Sequence, residues 1–249
     1  MKLIKIVIKL LVISVCSGCA AQLEGNTAQQ AQDFKLSGSL ALQQLTNTNQ
    51  CPGCDFQGAD LTTVHLSQAN LSGANFSQAN LAGVDLKDSD LSQANLSGAN
   101  LSKAQLSKTN LSRANLSGAN LSHTRFGEES KTIPIQQGEA PNFTGANLSR
   151  ANLSSSNLPK VDLTGANLAN ADLSNVKFVG MQAVGANLKN AKLKRADLSD
   201  ADLKDADLTS ANLQGSNLSN ANLEGADLRK ANWQSANTDN AKLKDALRE

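Results

Sequence analysis

The sequence predicts a solenoid built from five-residue repeats, and three observations lead to that expectation. Leu or Phe occupies every fifth position over residues 56–126 without exception, and Leu, Phe or Trp occupies 19 of the 21 corresponding positions over residues 143–243. Neither an α-helix nor a β-strand has a period of five, whereas a short fixed period is typical of solenoids. Although 40% of residues are hydrophobic, only 3% are aromatic, so a core of large aromatic rings is not expected.

The five positions of each repeat differ in chemistry. We call the recurring apolar residue the central position, and a small residue lies two positions before it, as in Ala94-Asn95-Leu96. The residue between them, the outward position, is Asn or Asp in 29 of the 36 repeats. The two residues after the central one are mostly Ser, Gly, Gln or Lys, which suit turns and solvent. The pattern therefore predicts that central and small side chains face inward.

The consensus A(N/D)LSx resembles the pentapeptide repeat family over residues 54–243. This resemblance implies an all-β fold, a right-handed quadrilateral β-helix in which each pentapeptide forms one side and four form a 20-residue coil. Thirty-six repeats at four per coil give about nine coils, roughly 43 Å long at the ~4.8 Å spacing of paired strands. Stacking at this interval places Phe56 against Phe76.

Two irregular repeats fit the same register. Met181 takes a small position while Ala183 takes the central position of the same repeat, which is interpreted as a volume-conserving exchange. Trp233 is expected to stack on Leu213 in the last coil and to close the end of the core.

The first nineteen residues have the features of a bacterial lipoprotein signal. Basic residues precede the apolar stretch Leu10–Val15, which is shorter than the ~20 residues of a membrane-spanning helix. Cys16-Ser17-Gly18-Cys19 resembles a bacterial lipobox. That resemblance implies cleavage before Cys19, a lipid anchor on Cys19 and a place in the cell envelope. Ala20 favours the outer membrane, facing the periplasm; an uncleaved anchor and a secreted or periplasmic protein are the alternatives.

The ends of a solenoid need caps because they expose apolar surface and unpaired backbone. Ser39 is the expected N-cap of a short helix over the first coil, and Ala241–Leu247 is the helical candidate for the opposite end. A dimer through an end cap is a further candidate arrangement. The predicted segments are a signal peptide (1–18), a polar tether (19–38), an N-terminal cap (39–50), a first run of repeats (51–126), an inserted loop (127–142), a second run (143–243) and a C-terminal cap or tail (244–249).

The inserted loop is the least repetitive part of the chain. Phe126 and Phe143 are 17 residues apart where 5 would continue the register, an excess of 12. A loop extruded at a corner would let Phe143 stack on Leu111. Loops on rigid scaffolds carry binding residues, so Ile133 and Ile135 are candidate partner contacts. The alternative is a tolerated insertion.

Cys51-Pro52-Gly53-Cys54 is the one motif that suggests redox or metal chemistry. Both cysteines continue the inward register, which disfavours a thioredoxin-like site. His65 and His123 fall at outward positions of different coils, so they do not complete a zinc site. A structural pair, with a disulfide as the candidate bond, is the preferred interpretation, and many members of the family begin their first coil with a similar segment. We predict no metal and no cofactor.

Charge argues against two classes of partner. With 23 basic and 22 acidic residues the net charge is +1, so no strong field for nucleic acid or anionic lipid is expected. Residues 55–126 carry five acids and five bases, and residues 183–249 carry ten of each. Outward Asp197, Asp202 and Asp207 are interpreted as solvated repeat positions rather than metal ligands.

These observations predict a non-enzymatic lipoprotein that acts as a rigid envelope scaffold or protein-binding module, with an unknown envelope protein as partner. No Ser has a His and an acid arranged around it, so no catalytic residue is predicted. One alternative is the DNA-mimicking, topoisomerase-protecting role of the quinolone-resistance branch of the family, which requires a strongly acidic surface. The other is a thiol-redox protein that uses the two cysteines.

Overall fold

The computed structural model describes residues 37–125 and 140–249. All of them belong to one compact unit, Lys35–Glu249. The predicted signal peptide and lipidated Cys19 lie outside the described residues. Within the described ranges, no helix is both long and apolar enough to cross a membrane.

The chain stacks on itself at 20-residue intervals. Parallel bridges join each outward residue to the outward residue one coil further on, as in Asn75 to Asn95 and Asn95 to Asn115. Four successive repeats thus form the four sides of one coil. The bridges involve single residues, so the described segments contain turns and isolated bridges and one helix. We number the sides by their columns of bridged residues: side 1 contains Asn70 and Asp90, side 2 Asn75 and Asn95, side 3 Asn80 and Asn100, and side 4 Asp85 and Gln105.

Backbone hydrogen bonds hold neighbouring coils together. The central N–H of Phe76 donates to the carbonyl of Asn95 at 2.7 Å, and the outward N–H of Asn95 donates to the carbonyl of Ala74 at 2.9 Å. This pair of bonds recurs on all four sides. Buried backbone groups must be paired. For the central and outward N–H groups the acceptor is a carbonyl of an adjacent coil and not of the same turn.

Each described corner is a β-turn, and its third residue has a positive φ at every corner except Leu61–Val64. At one corner the N–H of Ala79 donates to the carbonyl of Phe76 at 3.0 Å, and Gln78 between them has a φ of 60°. A positive φ at the third residue is characteristic of a type II turn. At Gly73 (φ +66°) an added Cβ would meet nothing within 4 Å. Glycine is therefore favoured there by the positive φ and not by a shortage of space.

The central and small side chains form one continuous core, as the repeat pattern predicts. Central residues from Phe56 to Leu228 are buried wherever the structure describes them. The rings of Phe56 and Phe76 stack with centroids 5.0 Å apart, which confirms the 20-residue register. Met181 and Ala183 are both fully buried, in agreement with the predicted exchange of volume. Trp233 packs on the core but is only partly buried.

The N-terminal cap is a single helix, α1 (Gly38–Thr48). It buries Ala41 and Leu45 against the first coil. The expected N-cap was wrong, because Ser37 holds that position and Ser39 lies inside the helix. Ser37 forms a bridge to Asp55, so its backbone is extended and the helix can begin only at the next residue.

The C-terminal prediction of a second helical cap is also wrong. Bridges continue from Asn222 to Lys242 and from Asp227 to Leu247, so Ala241–Leu247 forms coil sides. Ala241, Leu243 and Ala246 keep the spacing of small and central repeat positions. The segment therefore pairs with the coil below instead of forming a helix.

The outward Asn residues do more than face solvent. On side 2 the amide of Asn115 donates to Asn95 at 3.1 Å and accepts from Asn147 at 3.2 Å. The same oxygen accepts the N–H of Ser117 at 3.2 Å, an Asx-turn contact that fixes the corner. The following residues form this side-chain ladder along side 2: Asp55, Asn75, Asn95, Asn115, Asn147, Asn167 and Asn187.

The register generates a direct stability test. Leu203 is a fully buried central residue, whereas Lys204, the next residue, is exposed. We expect Leu203→Ala to lower the free energy of unfolding by about 2 to 5 kcal/mol, because it leaves a cavity between coils. Lys204→Ala should leave stability nearly unchanged in the same thermal denaturation. Similar shifts for the two variants would contradict the inward register.

The ladder generates a second test. Asn115→Ala removes three partly buried hydrogen bonds and should lower the free energy of unfolding by about 1 to 2 kcal/mol. Gln105 occupies the same repeat position on side 4 and is exposed, so Gln105→Ala is the matched control. If both variants unfold at the native midpoint in thermal denaturation, the ladder does not contribute to stability.

Candidate functional site

The insertion interrupts the chain without interrupting the stack. Asn110 bridges to Asn142, and Arg125 bridges to Asn157, so each pair is separated by one coil plus the 12 excess residues. The N–H of Leu111 donates to the carbonyl of Asn142 at 2.7 Å, which confirms the predicted stacking of Phe143 on Leu111. The chain thus leaves side 4 and returns on side 1.

The candidate contact residues Ile133 and Ile135 lie outside the described residues. The structure does define the two points between which they are held. Arg125 and Asn142 are both bridged to neighbouring coils, so the segment between them is attached to a corner of the stack at both ends.

Cys51 and Cys54 form a disulfide in the first coil. Cys51 is fully buried and Cys54 is 2% exposed. The Cys51 Sγ contacts the carbonyl oxygen of Ala41 in α1 at 3.4 Å, so the helix lies over the bond. Reactive cysteines need solvent access, whereas this pair is buried between the first coil and the cap helix.

The remaining residues considered for chemistry do not come together. His65 lies at the start of side 4, and His123 lies at the corner between sides 3 and 4, three coils further on. Among the residues that the structure describes, no cluster of three His, Cys, Asp or Glu could hold a metal ion. Asp197, Asp202 and Asp207 each accept the N–H two residues further on, so they stabilise turns on three different sides.

One carboxylate has a strongly perturbed pKa. The side-chain hydrogen bond from the Arg229 guanidinium, followed by the bond from the Arg229 N–H, lowers the pKa of Asp227 to about 2. The Arg229 Nη2 lies 2.6 Å from the Asp227 Oδ2. A carboxylate that stays ionised far below neutral pH is poorly matched to general acid or base work at pH 7. The pair is a surface contact on side 2.

The charges of the solenoid are segregated along its length. Among the described residues 91–125 and 140–161 there are six Lys or Arg and no acid. Five of the cations of the middle coils lie on side 4 or its two corners, and all five are exposed. We call them the side 4 basic zone: Lys103, Lys108, Arg125, Lys160 and Lys177.

The neighbouring coils carry both signs of charge on side 4 and its corners. Asp85, Lys87 and Asp88 lie one coil before the zone, and Lys194, Arg195, Asp197 and Asp200 lie one coil after it. The expectation of no strong field for nucleic acid or anionic lipid rests on the total charge, whereas the exposed cations of the middle coils are concentrated on side 4. The signal was present in the sequence: all five acids of residues 55–126 come at or before Asp90, and four of the five bases come after it.

Comparison with known proteins agrees with this architecture. A family described as "Pentapeptide repeat region" matches residues 59–131, and "Pentapeptide repeats (8 copies)" matches residues 142–180, 184–220 and 221–246. No functionally curated protein matches the chain.

Two solved structures illustrate the similarity. HetL, a pentapeptide repeat protein involved in heterocyst differentiation regulation in the cyanobacterium Nostoc sp. strain PCC 7120, is 33% identical, with 85% of this chain and 94% of HetL covered and a TM-score of 0.60. QnrB1, a plasmid-mediated fluoroquinolone resistance protein, is 24% identical, with 77% and 82% covered and a TM-score of 0.45. At these values the likeness to QnrB1 carries no functional inference.

Proteins of this type form right-handed quadrilateral β-helices and are generally structural or protein-binding. The matches span residues 59–246, and the backbone stacks at the interval that the repeat requires. This chain belongs to the pentapeptide repeat family.

Proposed function

We propose that this protein is a non-enzymatic scaffold of the bacterial cell envelope that holds a binding loop, residues 127–142, at a corner of a rigid β-helix of about nine coils. The observation that carries the proposal is the continuity of the stack across the insertion, from Asn110 to Asn142. A sequence that departs from the repeat while both its ends stay fixed is what a scaffold for a recognition loop requires.

Rigidity supports the proposal. Every described coil is bonded to its neighbours through the backbone, and the side 2 ladder adds side-chain bonds across seven coils, from Asp55 to Asn187. A loop whose ends cannot move apart loses less entropy on binding than a loop on a mobile support. Ile133 and Ile135 are the proposed apolar contacts for an envelope protein.

The two alternative functions have less support. DNA mimicry needs a continuous acidic surface, and the side 4 basic zone interrupts any such surface in the middle coils. Thiol exchange needs an accessible cysteine, whereas Cys51 and Cys54 are buried next to α1. The scaffold proposal uses neither feature and depends only on the loop and its fixed ends.

Deletion of the 12 excess residues tests the loop directly. Removing Glu128–Glu139 restores a five-residue spacing between Phe126 and Phe143, so the coils should stack as before and the thermal midpoint should change little. Recovery of the partner in an affinity pull-down from crosslinked envelopes should fall. The loop would be excluded as the binding site if the deletion variant stayed folded and recovered the partner as well as the native chain.

A finer variant separates the contact from the shape of the loop. Ile133→Ser with Ile135→Ser keeps the loop length and removes only its two branched apolar side chains. Partner recovery should fall as it does in the deletion. A matched pair of polar changes, Gln136→Ser with Gln137→Ser, should leave recovery near the native level.

Envelope attachment is the second part of the proposal. Gly18-Cys19 after a short apolar stretch supports diacylation of Cys19, and the polar residues 19–38 would tether the folded unit to the outer membrane, facing the periplasm. The secreted or periplasmic form is the competing arrangement.

Intact-mass analysis of membrane-extracted protein tests the attachment. The expected mass corresponds to loss of residues 1–18 and addition of lipid at Cys19. Cys19→Ser should abolish the added mass, whereas Cys16→Ser should retain it. A soluble product with an unmodified Cys19 thiol would rule out the anchor.

A further inference from the structure

The side 4 basic zone has no role in the proposed loop contact, and its arrangement is specific. Gln105, Arg125, Asn157 and Lys177 are bridged in register, so the outward residues of side 4 form one straight column across four coils. At ~4.8 Å per coil the zone extends over roughly 14 Å along the stack. No described carboxylate lies within it.

The five cations occupy the full width of the side. Lys103 lies at the corner with side 3, Arg125 and Lys177 lie in the central column, and Lys108 and Lys160 lie at the corner with side 1. All five are exposed. Because each coil adds its segment directly above the last, these five residues are stacked along one side of the β-helix and its two corners.

From this array of exposed cations on one side of the stack we infer that side 4 docks on an anionic lipid surface. A planar array of phosphate headgroups can contact all three columns at once, whereas an extended acidic peptide running along one column would reach only part of the zone. Basic residues near an anionic membrane each contribute roughly fivefold to binding. The inference is independent of the loop contact and of the lipid anchor.

The test compares two triple variants of the full-length chain that have the same net charge. Lys103→Gln, Lys108→Gln and Lys177→Gln neutralise the zone, while Arg125 and Lys160 are left unchanged because they also make other interactions. Lys189→Gln, Lys204→Gln and Lys230→Gln neutralise three exposed lysines on sides 1 and 2. The readout is co-sedimentation with vesicles of phosphatidylcholine containing phosphatidylglycerol, and with vesicles of phosphatidylcholine alone.

The native chain should partition more strongly onto the anionic vesicles than onto the neutral ones. The partition coefficient of the zone variant on anionic vesicles should be about one hundredfold lower than that of the native chain, because three contributions of roughly fivefold are removed. The control variant should bind the anionic vesicles nearly as strongly as the native chain. Added salt should weaken binding of the native chain to the level of the zone variant. Partition onto neutral vesicles reports the contribution of a lipid anchor to membrane binding, and it should be equal in all three proteins.

Two results would overturn the inference. Equal losses in the two triple variants would mean that net charge, not side 4, governs binding. No preference of the native chain for anionic over neutral vesicles would exclude a lipid surface, and leave an acidic protein surface as the class to test. The loop deletion keeps the proposals separate, since it should lower partner recovery yet preserve the difference between the triple variants.

Discussion

The hydrogen bonds between coils are the interaction on which the rest of the structure depends. A five-residue side is too short to satisfy its own backbone, so each central N–H and each outward N–H must find a carbonyl in an adjacent coil, as Phe76 and Asn95 do. That requirement fixes the 20-residue interval, and the interval places every central side chain above another. Burial of the Leu column and bonding of the backbone therefore stabilise the same register.

Because each coil needs only its neighbours, the stack tolerates changes that a globular core would not. Twelve extra residues between side 4 and side 1 leave the bond from Leu111 to Asn142 intact. Outward positions tolerate a wider range of residue types than central positions do, since their side chains contribute little to the core. The protein can thus place a loop at one corner and a cluster of cations on one side without disturbing the fold, and both proposals on function follow from that freedom.

The sequence predicts the inward register, the stacking of Phe56 on Phe76 and the return of the chain at Phe143, because each depends only on counting in fives. It fails at the C-terminal end, where Ala241, Leu243 and Ala246 continue the five-residue repeat instead of forming the expected helix. It also misses features that depend on which residues become neighbours only after stacking. The Asn ladder joins residues 20 or more positions apart, and the side 4 basic zone brings together cations from four successive coils, so neither is visible within a single repeat or in the total charge.

Residue-resolved hydrogen exchange of the native protein tests the central claim most directly. The account predicts slow exchange at central and outward amides and faster exchange at the amide after each central residue, which bonds at most to a side chain such as Asn115. The Leu111 amide, whose acceptor lies beyond the insertion, should be as protected as that of Leu96. Protection without a period of five, or rapid exchange at Leu111, would contradict a stack held by bonds between coils.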